Sequence, residues 1–206
     1  MKVVLVNGSP NEHGCTYTAL NEMAGELNRQ GIQTEIIHIG KEVIRGCIGC
    51  RACAKKGACV FDDVVNQSAA VMSAADGYVF GSPVYYAGVC GQLKSYMDRL
   101  FYSHGKSFQH KPAAAVVSAR RGGCVTTFED INRYFTINEM PVVSSQYWNQ
   151  VHGTKPEEVL KDEEGLQTMR TLARNMAWLL KCIECGKQNS IEPPVREPAL
   201  RTNFIR

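Results

Sequence analysis

Runs rich in apolar and β-branched residues recur along the chain, separated by longer segments of mixed polarity. The runs at 3–6, 34–39, 78–80 and 113–117 have the length and composition of strands that are buried in a parallel sheet. Pro141-Val142-Val143 predicts a fifth strand of the same kind.

Between these runs, apolar residues recur at helical spacing. The spacing predicts helices that follow the first strand, end near 70–75, cover 93–101 and 128–135, and close the domain over 166–183. Strands that alternate with helices favour an α/β fold, in which a parallel sheet carries helices on both faces. We predict one such domain over residues 1–190 and an extended, proline-containing arm over residues 191–206.

Composition narrows the classes of function that are open to this domain. The chain has 206 residues, of which 44% are hydrophobic, so it can build one full core. Its 23 basic and 20 acidic residues give a net charge of +3, which is too even to indicate a nucleic-acid partner. Neither a membrane-spanning run nor the apolar core of a signal peptide is present. With nine cysteines, an odd number, the sequence predicts a cytoplasmic protein whose thiols serve metal or redox chemistry.

The loop after the first strand, residues 8–16, leads directly into a helix. The start of a helix presents free backbone N–H groups and the positive end of the helix dipole, which together favour a phosphate. Ser9, Asn11, Thr16 and Tyr17 add neutral donors. The loop lacks both the Gly-Lys-Ser/Thr ending of a P-loop and the glycine fingerprint of dinucleotide sites. These features indicate the terminal phosphate of FMN; the alternative is an ordinary turn capped by Thr16.

Two further loops follow strands that end at the same edge of the sheet, where ligands of such sheets bind. Residues 81–88 contain a proline and two tyrosines, which can form a stiff wall for a flat ring. Residues 118–123 contain paired glycines that let the backbone approach a ligand, and an arginine can lie where negative charge develops on a reduced flavin. The alternatives are a packed loop and a solvated basic turn. The candidate ring contacts are Pro83, Val84, Tyr85, Tyr86, Ser118, Ala119, Arg120, Arg121, Gly122 and Gly123.

The most specific stretch of the chain holds four cysteines with the spacing C-x2-C-x2-C-x5-C. Four closely spaced thiolates can ligate a [4Fe–4S] cluster, and the glycines among them let the loop wrap around it. The alternative is a set of metal-free thiols beside Lys55 and Lys56, which can lower a thiol pKa. Zinc is disfavoured because the spacing lacks two separated pairs. The candidate ligands are Cys47, Cys50, Cys53 and Cys59.

From residue 1 to about residue 185, the chain resembles the NADPH-dependent FMN reductase branch of the flavodoxin-like superfamily. The resemblance rests on Asn7-Gly8-Ser9-Pro10, Gly81-Ser82-Pro83-Val84-Tyr85-Tyr86 and Asp98-Arg99. It implies a three-layer sandwich with a five-stranded parallel sheet in the order 2-1-3-4-5, and FMN held by the three loops. The family often has Asn-Thr where this chain has Cys15-Thr16, so the phosphate contact at Cys15 departs from the usual one. The cysteine spacing resembles that of iron–sulfur flavoproteins, a sister group on the same fold.

The resemblance implies an FMN-dependent NAD(P)H oxidoreductase of the flavin or quinone reductase type. Electrons would pass from NAD(P)H through bound FMN to a small-molecule acceptor that the sequence does not name. No catalytic residue is assigned, because the flavin carries the chemistry. Two alternatives stay open: an iron–sulfur flavoprotein that carries electrons with FMN and a [4Fe–4S] cluster, and a regulatory module that binds FMN without turnover.

We expect a homodimer or a higher homo-oligomer, most simply a dimer, with FMN near the interface. Phe101-Tyr102 and Tyr147-Trp148 are bulky aromatic pairs beyond what one small sheet needs for its core. The segment 144–154 interrupts the path to the last helix, and Phe204 and Ile205 of the arm need a surface on which to dock. A second copy related by a two-fold axis supplies that surface. The alternatives are packing on the same subunit and a disordered arm.

Overall fold

The computed structural model describes residues 1–204, so that Ile205 and Arg206 of the predicted docking arm lie outside the described residues. The strands are β1 (Lys2–Asn7), β2 (Gln33–His38), β3 (Gly77–Tyr85), β4 (Gly88–Val89), β5 (Ala113–Ala119) and β6 (Gln150–His152). The helices are α1 (Cys15–Arg29), α2 (Cys53–Lys56), α3 (Val64–Ala74), α4 (Gly91–His104), α5 (Cys124–Ile137), α6 (Pro156–Val159) and α7 (Glu163–Gln188). A 3₁₀ turn, Gly105–Phe108, follows α4.

Five of the strands form a parallel sheet in the order β2-β1-β3-β5-β6. The predicted α/β class is therefore confirmed, but the strand numbering needs a correction. The two-residue β4 was not predicted; it pairs antiparallel with the end of β3, outside the order of the main sheet. Strands β5 and β6 consequently take the places predicted for the fourth and fifth strands.

The prediction that residues 141–143 form the fifth strand was wrong, because the strand at that edge of the sheet is β6. The only ladder contact of 141–143 within the described residues is an isolated bridge between Val142 and Ala113, in which the Ala113 amide donates to the Pro141 carbonyl and the Val143 amide donates to the Ala113 carbonyl. The chain then leaves the sheet and returns as β6, which pairs with 117–119 at the other end of β5. Two short segments, 141–143 and β6, thus share the edge of the sheet next to β5. Strand β6 lies inside the segment 144–154, which we expected to be an insertion.

The alternation of side chains along β1 shows how both faces of the sheet are covered. Val3 and Leu5 point into a core formed with α1 and α7, whereas Val4 and Val6 point into a core formed with α3, α4 and α5. All four valine and leucine side chains are completely buried. Four successive apolar residues, all buried, fit a strand in a sheet that carries helices on both faces.

Two expectations about exposed aromatic residues have different outcomes. Phe101 was wrongly grouped with surface aromatics, because it is buried against Phe80 and Phe108 in the core. Tyr147 and Trp148 are exposed and contact each other edge to face, with ring centroids 4.8 Å apart. The arm over 191–204 is exposed and has no regular element. Among residues 1–204, no helix combines the length and the apolar character that crossing a membrane requires.

Candidate functional site

The three predicted loops meet at the edge where β1, β3 and β5 end. Asn7, the last residue of β1, is paired with Gly81 of β3, and the Gly8 amide donates to the Gly81 carbonyl over 2.9 Å. Pro83 of β3 is paired with Ser118 of β5. Parallel strands place these ends side by side, so the sequence correctly predicts that the three loops are neighbours.

The first loop is held in shape by a residue that the sequence analysis missed. The buried Asn7 side chain accepts a bond from the Ser9 amide (3.1 Å) and donates one to the Glu12 carbonyl (2.9 Å). His38 at the end of β2 bonds the Ser9 carbonyl through Nε2 over 2.8 Å. Ser9 Oγ in turn accepts from the Asn11 amide over 3.2 Å, and Asn11 itself is exposed. The signal for this hydrogen-bonding role in the sequence is an asparagine directly after the apolar run 3–6.

Helix α1 begins without a side-chain cap. The cap position is occupied by Gly14, and Thr16 does not cap the helix, so the alternative of an ordinary turn capped by Thr16 is wrong. Within the described residues, the backbone N–H groups of Cys15, Thr16 and Tyr17 have no acceptor. Three uncapped donors at the positive end of a helix that has 15 residues are the groups that favour an anion.

Thr16 instead points into the floor of the site, where it meets the third loop. Its Oγ1 lies 2.8 Å from Ser118 Oγ at the end of β5, and both residues are buried. Two hydroxyl groups carry two protons, but a single hydrogen bond between them uses only one. The other proton has no acceptor in the part of the chain that the structure describes. The pair therefore adds one spare donor to the uncapped N–H groups at the start of α1.

The remaining side chains of the first loop line its rim. Cys15 is half-buried, and its Sγ lies 3.5 Å from the Gly153 carbonyl. Burial raises the pKa of the Cys15 thiol, so this side chain is a neutral donor near pH 7. Tyr17 is half-buried and packs edge-on against His13, with ring centroids 4.7 Å apart.

The second predicted loop proves to be a β-hairpin. Strand β3 continues through Tyr85 and pairs antiparallel with β4, so that Val84 faces Val89 across the two strands. Tyr86 and Ala87 form the turn with φ of +49° and +57°, a left-handed conformation that is strained for residues other than glycine. Tyr86 is fully exposed and Tyr85 about half exposed, whereas Pro83 and Val84 are half-buried. The two tyrosine rings stand at the tip of a rigid element and do not cap the core.

The third loop approaches this hairpin closely. Gly123, at φ +86°, would carry a Cβ only 2.8 Å from Ala87 Cα, so a glycine is required there on both counts. Thr126 Oγ1 also donates to the Ala87 carbonyl over 2.7 Å. Ser118 and Ala119 close β5, and the residues between them and Gly123 are exposed: Arg120, Arg121 and Gly122. Neither arginine has an ion-pair partner in the described part of the chain, so both charges are available to a ligand.

The four cysteines of the motif surround one small cavity, of about 40 Å³, between their loop and α4. Cys47 and Cys50 are exposed, and Cys53 and Cys59 are half-buried. The side chains of Cys47 and Cys50 make no hydrogen bond in the described residues, and they form the exposed side of this cavity. Two cysteines are thus bonded to the fold through their thiols, and two lie on an exposed segment.

The cysteine loop, which we define as residues 40–63, is tightly held at both ends. At its entry, a Cβ on Gly40 would lie 1.8 Å from the Ser9 carbonyl, so the loop leaves β2 in direct contact with the first loop. At its exit, Asp63 caps α3 by accepting from the Val65 amide over 3.1 Å. Asn66 holds the backbone of Cys59 through both its amide and its carbonyl, at 3.0 and 2.9 Å.

The geometry of the cysteine loop bears on which metal group it fits. Across residues 1–204, no three His, Cys, Asp or Glu side chains converge as they would around a single metal ion. A zinc ion needs four ligands directed at one point. The cysteines of a cubane cluster each bind a different iron, so they surround the group and do not converge. The all-thiol donor set, arranged around a cavity, therefore fits an iron–sulfur cluster better than zinc.

A larger cavity lies at the opposite end of the sheet. It has a volume of about 600 Å³ and is bounded by Met1, Asp76 and Pro112 near the amino ends of the strands, and by Pro193 and Pro194 of the arm. Ligands of parallel α/β sheets bind at the carboxyl ends. This cavity is consequently separate from the three loops.

Comparison with known proteins agrees with this geometry. Residues 1–155 match the family described as NADPH-dependent FMN reductase. Two iron–sulfur flavoproteins of Methanocaldococcus jannaschii are 35% and 32% identical to this chain; the alignments cover 89% and 88% of it, and 100% and 98% of the relatives. A solved flavodoxin from the domain Archaea superposes on 88% of this chain and 99% of its own, with a TM-score of 0.59 at 16% identity, which confirms the flavodoxin-like fold. The chain belongs to the NADPH-dependent FMN reductase family.

Proposed function

We propose that this protein is an FMN-dependent electron-transfer oxidoreductase in which the four-cysteine loop holds an iron–sulfur cluster. The observation that carries the proposal is the placement of all four motif cysteines around one cavity. The full-length similarity to iron–sulfur flavoproteins supports it. FMN exchanges one or two electrons, and an iron–sulfur cluster exchanges one at a time.

The chain's own groups have distinct roles in this proposal. The uncapped N–H groups of Cys15, Thr16 and Tyr17 hold the FMN phosphate, together with the spare hydroxyl proton of Thr16 and Ser118. The hairpin tip, with Tyr85 and Tyr86, forms one wall for the ring. The unpaired Arg120 and Arg121 provide positive charge near a reduced flavin. Cys47, Cys50, Cys53 and Cys59 bind iron.

Purification without oxygen tests both cofactors directly. We expect FMN, identified after acid extraction, together with about four irons and four acid-labile sulfides per chain. Cys53→Ser should lose most of the iron and keep FMN. Cys182→Ser is the matched control, since Cys182 is an exposed cysteine on α7 outside the motif. A wild-type chain with FMN and no iron after reconstitution would contradict the cluster, and FAD with no FMN would contradict the flavin site.

A second candidate function is an NAD(P)H-dependent reductase that works through FMN alone, and the description of the matched family favours it. Mixing the oxidised protein with NADPH or NADH in a stopped-flow instrument measures how fast the flavin is reduced. Rapid bleaching in the Cys53→Ser variant supports this candidate, because the variant lacks the cluster. If the flavin stays oxidised with both nucleotides, NAD(P)H is not the electron donor. The proposed electron-transfer function then requires a different donor.

A further inference from the structure

Arg99 of α4 is the most deeply buried charge in the described residues, with only 1% of its side chain exposed. Its Nη1 and Nη2 donate to the two oxygens of Asp63, over 2.5 and 2.8 Å, and a fork of this kind fixes the plane of the guanidinium. Nη1 and Nη2 also donate to the carbonyls of Arg45 and Phe61, over 3.2 and 3.1 Å. Four of its five N–H groups therefore bond oxygen.

The fifth N–H group bonds a motif cysteine. Arg99 Nε donates to Cys59 Sγ over 3.2 Å. Because the fork to Asp63 fixes the guanidinium plane, the direction of Nε–H is fixed as well. Cys59 is also the motif cysteine whose backbone is held at both polar groups by Asn66. By contrast, the Cys53 thiol makes one long contact of 3.6 Å to the exposed Tyr102.

We propose that Arg99 is a positioning residue: it holds Cys59 as the fixed ligand of the cluster site and makes the bound cluster easier to reduce. The inference rests on the proposed function. Reduction adds one negative charge next to the ligand sulfurs. A buried cation and an N–H donor at one sulfur stabilise the form that carries more negative charge. The carboxylate of Asp63 acts on the same site with the opposite sign, from the far side of the guanidinium.

Two substitutions with opposite expected effects test the proposal. Arg99→Met keeps an unbranched side chain and removes the charge and the Nε–H donor, so the midpoint potential should become more negative. Asp63→Asn keeps an oxygen that can cap α3 and removes the opposing charge, so the potential should become more positive. Potentials are measured by titration with dithionite, followed by electron paramagnetic resonance. If Arg99 and Asp63 only stabilised the fold, the two substitutions would not shift the midpoint potential in opposite directions.

Arg45→Met is the matched control. The Arg45 guanidinium lies over the Phe61 ring at 5.1 Å, the same distance as that of Arg99, but it makes no bond to a cysteine. We expect its midpoint potential to equal that of the wild type. We also expect Arg99→Met to lose at least half of its reconstituted iron during gel filtration, whereas Arg45→Met keeps it.

The outcomes separate this inference from the proposed function. A wild type that binds no iron and sulfide overturns the proposed function. A wild type that binds the cluster, together with Arg99→Met and Asp63→Asn variants whose potentials are unchanged or move in the same direction, overturns the role of Arg99 alone. FMN content and circular dichroism establish that each variant is folded. If Arg99→Met does not fold, Asp63→Asn decides, since an unchanged potential there contradicts the electrostatic argument.

Discussion

Replacing Thr16 by valine removes one hydroxyl from the floor of the proposed FMN site and nearly preserves the shape of the side chain. In the structure, Thr16 Oγ1 and Ser118 Oγ lie 2.8 Å apart in a buried pair, and one of their two protons has no acceptor in the described residues. We assign the spare proton to Thr16, which lies in the uncapped first turn of α1, and the FMN phosphate as its acceptor; Ser118 then donates to Thr16. Thr16→Val should therefore weaken FMN binding, because Ser118 then loses its partner and the site loses a donor.

The magnitude follows from the charge of the phosphate. A hydrogen bond to a charged group contributes about 1.5–3 kcal/mol, and about 1.4 kcal/mol is a tenfold change in Kd. Thr16→Val should then raise the Kd for FMN about 10- to 100-fold. Ser118→Ala leaves the Thr16 proton free for the phosphate, so it should raise the Kd less than about 3-fold, the effect of under 1 kcal/mol. The asymmetry between the two partners is the specific prediction.

The assay is titration of the apoprotein with FMN, whose fluorescence is expected to fall on binding, at 25 °C. Thr18→Val is the matched control: its hydroxyl lies on the same helix and bonds the Gly14 carbonyl over 3.1 Å. If Thr16→Val binds FMN as tightly as Thr18→Val, the spare proton does not serve the phosphate. Equal losses for Thr16→Val and Ser118→Ala would show that the pair matters only as a structural contact.

Three further predictions concern other parts of the molecule. Gly123→Ala should weaken FMN binding at least tenfold in the same titration, since its Cβ clashes with the hairpin at φ +86°, whereas Gly122→Ala, with no atom within 4 Å, should not. The bond from Arg174, aided by Arg29, lowers the pKa of the buried Glu26 to about 2, below the ordinary 4.5. The stabilisation of the folded state by this carboxylate is therefore present above pH 4.5 and lost as the pH falls towards 2. Because solvent screens the exposed arginines, Glu26→Gln should lower the free energy of unfolding by only about 1–2 kcal/mol at pH 7, and by little at pH 2, when measured by urea unfolding. Finally, we predict a homodimer by light scattering, and a chain that ends at Ser190 should dissociate more readily; a full-length monomer with FMN bound would contradict the dimer.

Features that depend on local pattern were predictable from the sequence. The apolar run of β1 indicated burial on both faces, and the loops at the ends of β1 and β5 stand where the alternation of strands and helices places them. Pro83 was predicted to lie in the loop after the third strand, as part of a stiff wall for a flat ring. In the structure it lies where β3 passes from its pairing with β5 to its pairing with β4. Only the neighbouring strands decide that outcome.

Features that depend on distant contacts were not predictable. Gln150-Val151-His152 has no run of apolar residues, and it becomes β6 because the end of β5 offers an unpaired edge. Arg99 carried the family resemblance as part of Asp98-Arg99, but its bond joins it to Cys59, 40 residues away along the chain. Sequence spacing correctly predicted that the cysteines form a group. It contained no information about the cation behind them.

The position of the cysteine loop has a consequence for how the protein matures. Neither hydrophobic core of the described chain contains a residue between Arg45 and Asp63, so this segment adds no apolar packing to either core. In small zinc domains, by contrast, the polypeptide stays unfolded until the metal arrives. Under the proposed function, the domain would fold first and present Cys59 and Cys53, whose thiols are bonded to it, while Cys47 and Cys50 lie exposed. Iron delivery would then be a late event on a folded protein, so iron-starved cells would accumulate a folded, flavin-competent form.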